Sequence, residues 1–395
     1  MSQQLISRNP DLQKLQSEGF DLEIRDGQIY VHHVPFLNSK QEISDGTLAF
    51  TYSSQGDIVA PPTDHTAHWI GSKPFTVTGQ EVPSLINSQV NGWNGHNEVF
   101  FLSLFRDGQK GKPYSDFYEK ATFYFKTIAG HAFQKDKIKA EKIRQMITAA
   151  TEEDVFNYQD TNSARAGIIG LANKMKGKKV AIVGLGGTGS YLLDLVAKTP
   201  VAEIHLFDDD IFSTHNAFRA PGASTLNELK QGLSKVEYFS MKYSAMHRHV
   251  IPHMEKIMEG TISNLFDMDI VFLCVDSVKA RNFIARHLAD KNIPFIDSGL
   301  GMAIRNNAGL AGQIRCTTFD GTHGDHLSKS FGKEEIEDDG VYNTSIQVSE
   351  LNDLAAILII MQWKRMIGFY ASDKPGCIES VLSIAANKIL NQYEG

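Results

Sequence analysis

The stretch Gly184-Leu-Gly-Gly-Thr-Gly189 constrains this chain more than any other. Glycine loses the most conformational freedom on ordering, so four of them this close do not belong inside a helix or a strand. The residues before them, Lys179-Val-Ala-Ile-Val183, read as a buried strand, and the apolar run Tyr191 to Ala197 after them reads as a helix. Strand, glycine turn and helix together open a β-α-β unit. In such a turn the backbone can approach an anion closely, and the helix start offers unpaired N–H groups and a positive dipole end.

The same texture continues downstream. Glu203 to Phe207, Ile270 to Val275 and Ile293 to Ile296 read as strands, with helical stretches at Lys235 to His247 and Val278 to Ala289. Alternation at this pitch predicts an α/β fold, a Rossmann-like doubly wound and mainly parallel sheet. Gln347 to Phe369 is a long helix expected to pack on that sheet or on a second subunit.

The first third reads differently, as a smaller β-rich α+β domain. Phe20 to Arg25 alternates apolar and polar, Asp26-Gly27 supplies a hairpin turn, and Gln28 to His32 follows. Thr47 to Tyr52 and Val99 to Phe105 are further strands, and Tyr114 to Phe133 and Ile138 to Ala150 have helical spacing. Polar, acidic Glu152 to Asn162 reads as a linker, giving domains at 1–155 and 160–395 within the 395 residues.

Composition excludes several classes. With 39 basic against 46 acidic residues the net charge is −7, against a nucleic-acid partner. The longest apolar run, Leu354 to Met361, is far short of the ~20 residues of a membrane span. The opening residues lack the pattern of a signal peptide, so a cytoplasmic chain with no membrane partner is expected. Three scattered cysteines, Cys274, Cys316 and Cys377, exclude a disulfide scaffold and a Cys-only zinc site.

Asp208 ends the second strand about 20 residues after the glycines, where an acidic side chain takes ribose hydroxyls. Asp210, Asn216, Arg219 and Lys235 follow, and Asp276-Ser277 ends a later strand. A dinucleotide's pyrophosphate is largely served by the glycine loop, whereas a triphosphate needs added cations and a metal. Asn216, Arg219 and Lys235 are placed to converge over the strand ends. Asp276 is suited to Mg²⁺, which favours one or two carboxylates plus phosphate oxygens.

These residues resemble a known family. Gly184 to Gly189, Asp208-x-Asp210, Asn216-x-x-Arg219, Lys235 and Cys274-x-Asp276 are similar to the adenylation core of the ThiF, HesA and ubiquitin-activating-enzyme adenylyltransferases. The resemblance covers about residues 160–370. It implies that Gly184, Gly186, Gly187 and Gly189 face phosphates and that Asp208 takes the ribose. By the same resemblance Asp210 and Ser277 join the ATP site, Asn216, Arg219 and Lys235 bind the triphosphate, and Asp276 holds Mg²⁺. Arg165 sits where the family has an arginine that reaches into the partner subunit's site, which implies a homodimer. The reaction implied is adenylation of the C-terminal carboxylate of a ubiquitin-like protein or peptide. Residues 1–150 resemble the module that accompanies bacterial ThiF-like proteins, whose partners include conjugating-enzyme-like and JAB-peptidase proteins, and are expected to recruit the acyl-bearing partner.

Two departures from the family stand out. The chain has no CxxC, and the crossover loop Asp320 to Tyr342 holds no cysteine, which speaks for adenylation without transthiolation. Cys274 and Cys316 read as core. Cys377 is the one cysteine expected to be exposed. His323 and His326 with Asp325, His65 with His68, and His32-His33 have metal-ligand spacing but read as ordinary polar positions. The competing readings are an NAD(P)-dependent oxidoreductase using the same glycine turn and Asp208, and a binding scaffold without chemistry.

Overall fold

The computed structural model describes residues 2–105, 113–146, 154–305, 309–331, 346–374 and 376–393, without the side chains of residues 2–4, 164–165 and 329–330. The chain divides into two compact units, one of Met1–Ala150 with Tyr158–Gly170, the other of Thr151–Asn157 with Leu171–Gly395. The expected linker is thus shared out between the two units.

In the N-terminal unit β1 (Asp21–Arg25) and β2 (Gln28–Leu37) form the hairpin expected from Asp26-Gly27. Both turn residues have positive φ, 49° and 72°, which matches the right-handed twist of the flanking strands. β3 (Ile43–Thr51), the two-residue pair β4 (Ser54–Gln55) and β5 (Ile58–Val59), β6 (Thr66–Ile70), β7 (Ile86–Val90) and β8 (Val99–Ser103) follow. The main sheet runs β1-β2-β3-β6-β8-β7 and is antiparallel throughout. Helix Phe117–Lys135 packs on it, burying Tyr124, Phe125 and Ile128 against Leu22, Ile29, Val31 and Phe50. Asp116 caps this helix by accepting from Glu119 N at 2.8 Å. The expected helix over 138–150 is described over Lys137–Arg144; residues 147–150 lie outside the described residues. Helices Ser2–Arg8 and Pro10–Ser17 and strands β6 and β7 had no expectation.

The C-terminal unit holds β9 (Lys179–Val183), β10 (Glu203–Phe207), β11 (Val250–His253), β12 (Ile270–Leu273), β13 (Phe295–Arg305), β14 (Gly309–Phe319), β15 (Cys377–Ser383) and β16 (Lys388–Tyr393). Their order is β11-β10-β9-β12-β13-β14-β15-β16. The strands β9 to β13 pair in parallel, and β14 to β16 extend the sheet antiparallel. β9 is buried on both faces, as a central parallel strand must be. Val180 and Ile182 face Leu193, Val236 and Trp363, whereas Ala181 and Val183 face Ile284, Leu288 and Leu265. Helices lie on both faces, so this is the doubly wound fold.

The chain leaves β9 for one flank through β10 and β11 and returns to the other flank through β12 and β13. The strand order therefore reverses between β9 and β12. Ligands of open α/β sheets sit beyond the carboxyl ends of the strands at such a point. Among the described residues no helix is long and apolar enough to cross a membrane.

Candidate functional site

A crevice of about 620 Å³ opens at that switch point. Gly184 follows β9 with φ +91°, and a Cβ there would lie 2.7 Å from the Cys274 carbonyl oxygen at the end of β12. Gly186, Gly187 and Thr188 line the crevice as helix Gly187–Val196 begins, so its first N–H groups face the cavity. Gly189 does not line it. A Cβ on Gly189 would sit 1.9 Å from the Gly184 carbonyl oxygen, so its glycine is needed to close the turn against the helix.

Lys235 is delivered by a capping box that the sequence carries as Ser234-Lys-Val-Glu237. Ser234 Oγ accepts from Glu237 N at 3.3 Å, and Glu237 Oε2 accepts from Ser234 N at 3.0 Å. Lys235 is the first residue of helix Lys235–Tyr243, with its backbone N–H on the Asp210 carbonyl at 2.9 Å. Its Nζ lies 2.5 Å from Asp210 Oδ2 and 3.2 Å from Asp208 Oδ1. The hydrogen bond from Lys235 holds the Asp210 carboxyl below its ordinary range, against a smaller upward push from burial.

Asp208 is more committed than expected. Its Oδ2 accepts from Leu185 N at 2.7 Å and its Oδ1 from Asp210 N at 3.0 Å, and its side chain is 8% exposed. In this state it braces the glycine turn and Lys235.

Arg219 lines the crevice and donates through Nη1 to Gln347 Oε1 at 2.9 Å. Asn216, expected to converge on the same space, lies behind the crevice wall with its Nδ2 unpartnered among the described residues. It is 3% exposed, does not line the crevice, and accepts through Oδ1 from Ser213 N at 3.0 Å and Ser213 Oγ at 2.9 Å. Ser213 is the N-cap of the short helix Thr214–Ala217, and Asn216 completes its capping box just before Arg219.

Asp276 and Ser277 line the crevice after β12. Asp276 is exposed and its carboxylate has no partner among the described residues, whereas Ser277 caps helix Val278–Asp290, accepting from Ala280 N at 3.3 Å. Arg165 ends helix Thr161–Arg165 in the N-terminal unit, and its side chain lies outside the described residues.

The crevice also holds residues without an expectation: Gln347, Arg281 and Arg315. Arg281 Nε is 2.9 Å from Asp297 Oδ1 and Arg315 Nη2 is 3.8 Å from Asp297 Oδ2. Asp297 is fully buried on β13, and burial raises its pKa against the pull of the two guanidiniums. Arg281 was findable, since it stands in the first turns of the helix that follows Asp276. Arg315 and Gln347 have no local signal.

Among the described residues the acidic group close enough to share an ion is Asp208-Asp209-Asp210. Lys235 already occupies two of its carboxylates, so Asp276 is the better fit to Mg²⁺, which keeps most of its ligands as water and phosphate oxygen. His323 and His326 do not share a site: His323 pairs with Asp320 at 3.2 Å and His326 with the Thr318 carbonyl at 2.9 Å. Cys316 is core, whereas Cys274, expected there too, is half-buried in the crevice wall; burial pushes both thiols up, Cys274 to about 12. Cys377 is half-buried at the start of β15, where Gln362 Nε2 donates to its sulfur at 3.2 Å, rather than exposed as expected.

Fold and crevice thus define an open α/β domain whose glycine turn shares its crevice with Arg219, Lys235, Arg281 and Arg315. Residues 161–349 match the model of the ThiF family, and residues 10–161 match a domain of unknown function (DUF6791). The chain is 24% identical over 171 residues to ubiquitin-like modifier-activating enzyme 5 of Culex quinquefasciatus, covering 40% of this chain and 43% of that protein. It is 28% identical over 154 residues to the adenylyltransferase and sulfurtransferase UBA4 of Candida glabrata, covering 38% and 34%. The chain therefore spans less than half of the length of these curated relatives. Among solved structures, PaaA aligns with a TM-score of 0.44 and 19% identity over 57% of this chain and 75% of its own. Escherichia coli MccB with ATP aligns with a TM-score of 0.43 and 17% identity over 60% and 70%.

Proposed function

We propose that this chain is an adenylyltransferase that uses ATP to activate the C-terminal carboxylate of a ubiquitin-like protein or peptide. The observation that carries this is the meeting of Arg219, Lys235 and Asp276 with the glycine turn at one sheet edge of a ThiF family domain. A site for a dinucleotide alone would not call for two added cations and a free carboxylate.

In the reaction a carboxylate oxygen forms a bond to the α-phosphorus while the bond from that phosphorus to the pyrophosphate oxygen breaks. The products are an acyl adenylate and pyrophosphate. The chain's part is to position and to neutralise charge. The turn Gly184–Gly187 and the helix start receive phosphate oxygens, and Asp208 faces the ribose once nucleotide draws Lys235 away. Arg219 and Lys235 stabilise the negative charge that builds on the phosphoryl oxygens. Mg²⁺, held by Asp276, would supply charge neutralisation on the phosphates when bound. No cysteine in the crossover loop receives the acyl group, so it passes as the adenylate to another protein or an outside nucleophile.

The chain acts in the cytoplasm as a homodimer, with Arg165 completing the partner's site, and the N-terminal unit recruits the acyl-bearing protein. Mixing inactive Arg165→Ala with inactive Lys235→Ala restores part of the activity if the arginine works in trans; a monomer by light scattering would defeat that arrangement.

The test of the reaction is ATP–pyrophosphate exchange together with thermal unfolding in Mg²⁺–ATP, NAD⁺ and NADP⁺. Ligand at about 100 times Kd adds roughly 2.7 kcal/mol to the native state. Stabilisation by Mg²⁺–ATP with exchange supports adenylation. Stabilisation by a nicotinamide dinucleotide alone replaces it with hydride transfer.

A further inference from the structure

We propose that Asn352 is a positioning residue for the glycine turn, setting its height and supplying a buried donor beside the phosphate end of the helix; this rests on the nucleotide site described above. Asn352 stands in the first turn of helix Ser349–Met366, which lies along helix Gly187–Val196. Thr188 Oγ1 donates to Asn352 Oδ1 at 3.2 Å, and one turn on the Tyr191 hydroxyl is hydrogen-bonded to Ser349 Oγ. The side chain is 1% exposed, yet its Nδ2 has no hydrogen-bond partner among the described residues.

Its position against the turn is close. A Cβ built on Gly187 would fall 2.1 Å from Nδ2, 2.3 Å from Cγ and 2.5 Å from Oδ1. The carboxamide therefore occupies the volume that any larger residue at 187 would need. Gly186, one position earlier, meets nothing within 4 Å, so the crowding is specific to the residue that opens the helix.

A site concerned only with packing would hold an apolar side chain, because leaving a buried amide donor unpaired is costly. The neighbours on the same helix, Ala355, Ala356 and Ile359, are apolar and fully buried. The other buried polar residue of the helix, Gln362, has partners in Cys377 and Ser380, whereas the Asn352 donor, set against the residue that opens the neighbouring helix, has none; its place is explained if its dipole adds to the positive end of that helix. Asn352 does not line the crevice, so it acts through the turn and not on the phosphate.

The test uses the full chain and two readouts, the KM and kcat of ATP–pyrophosphate exchange and the nucleotide-induced shift of the unfolding midpoint. Asn352→Leu keeps the volume and removes the dipole. It is expected to fold and to raise KM for ATP about tenfold while kcat stays within about threefold. Gly187→Ala is expected to lose the nucleotide-induced shift, and Gly187→Ala with Asn352→Ala to regain part of it, since removing the carboxamide vacates the space the new methyl needs but also removes its dipole. Where Gly187→Ala fails to fold, recovery of folding in the double variant is the same rescue. A folded Asn352→Leu with unchanged KM, or a double variant no better than Gly187→Ala alone, overturns the proposal. If the wild-type chain responds to NAD⁺ and not to Mg²⁺–ATP, adenylation fails, and the same variants scored by the NAD⁺ shift still decide the role of Asn352. A wild-type chain that answers to neither nucleotide overturns both.

Discussion

Lys235 Nζ sits 2.5 Å from Asp210 Oδ2, on a lysine side chain that is 7% exposed. The ammonium that the proposed chemistry needs is therefore held, without nucleotide, by an acid from the loop after β10, with Asp208 on its other side at 3.2 Å. A triphosphate entering the crevice must offer Lys235 a better partner than these carboxylates. Such an exchange keeps a buried cation compensated at every stage, which an empty pocket with a bare lysine would not. Lys235→Ala is expected to lower ATP–pyrophosphate exchange about 10²–10³-fold, the usual scale for one charge-stabilising group. Exchange within a few-fold of wild type would remove Lys235 from the site.

The same pair predicts a pH dependence. The hydrogen bond from Lys235 lowers the Asp210 pKa in the folded chain, so the ionised form is favoured by folding. Its contribution to stability is present above the ordinary carboxylate range, about 3.9, and is lost as pH falls through the lower folded value. Because the Asp210 side chain is 69% exposed, solvent screening keeps the effect small. Asp210→Asn should flatten the acid limb of the unfolding midpoint against pH, and an identical limb in the variant would mean that the pair is not formed in solution.

Asp276 is expected to separate activity from stability. It is exposed and carries no partner among the described residues, so Asp276→Ala should change unfolding free energy by no more than about 0.5 kcal/mol. The same change should abolish exchange at every Mg²⁺ concentration if this carboxylate holds the ion. Denaturant unfolding and an Mg²⁺ titration of exchange check both halves.

Much of this site is written locally. The glycine turn, the Ser234-x-x-Glu237 box that presents Lys235, and the Asp26-Gly27 hairpin each depend on residues within a few positions of one another. Gln347 reaches Arg219 from 128 positions away, and Arg315 arrives on a strand paired in long-range register, so neither leaves a local pattern. β7, Ile86-Asn-Ser-Gln-Val90, is an edge strand with three exposed polar residues in its middle and lacks the apolar alternation that marks a half-buried strand. The setting of Asn216 was hidden for a related reason. Its spacing to Arg219 is right for a shared site, yet its oxygen is spent on Ser213, a competition that spacing alone does not reveal.

The cysteines differ in a way that alkylation can read. Burial pushes the Cys274 thiol up to about 12, with nearby Asp297 adding to the push and Arg281 opposing it. The thiolate is the reactive form, so native Cys274 should resist iodoacetamide at pH 8, as should fully buried Cys316. Half-buried Cys377 is expected to label first, and all three should label in denaturant. Mass spectrometry of the labelled peptides reads the order, and rapid native labelling of Cys274 would contradict its place at the end of β12.

The glycines of the turn should separate in stability as they do in surroundings. A methyl group on Gly189 would meet the Gly184 carbonyl oxygen at 1.9 Å, and that oxygen belongs to backbone held at the switch point and cannot swing aside. Gly189→Ala is therefore expected to destabilise the fold by about 1–3 kcal/mol or more, as overpacking does. Gly186 has a negative φ, −69°, and open space around its Cβ position. Gly186→Ala should leave the unfolding midpoint almost unchanged, while its methyl, which points into space beside the crevice, weakens nucleotide binding. Unfolding of both variants with and without Mg²⁺–ATP decides the matter. Equal stability loss in the two would mean that the turn is not packed as described.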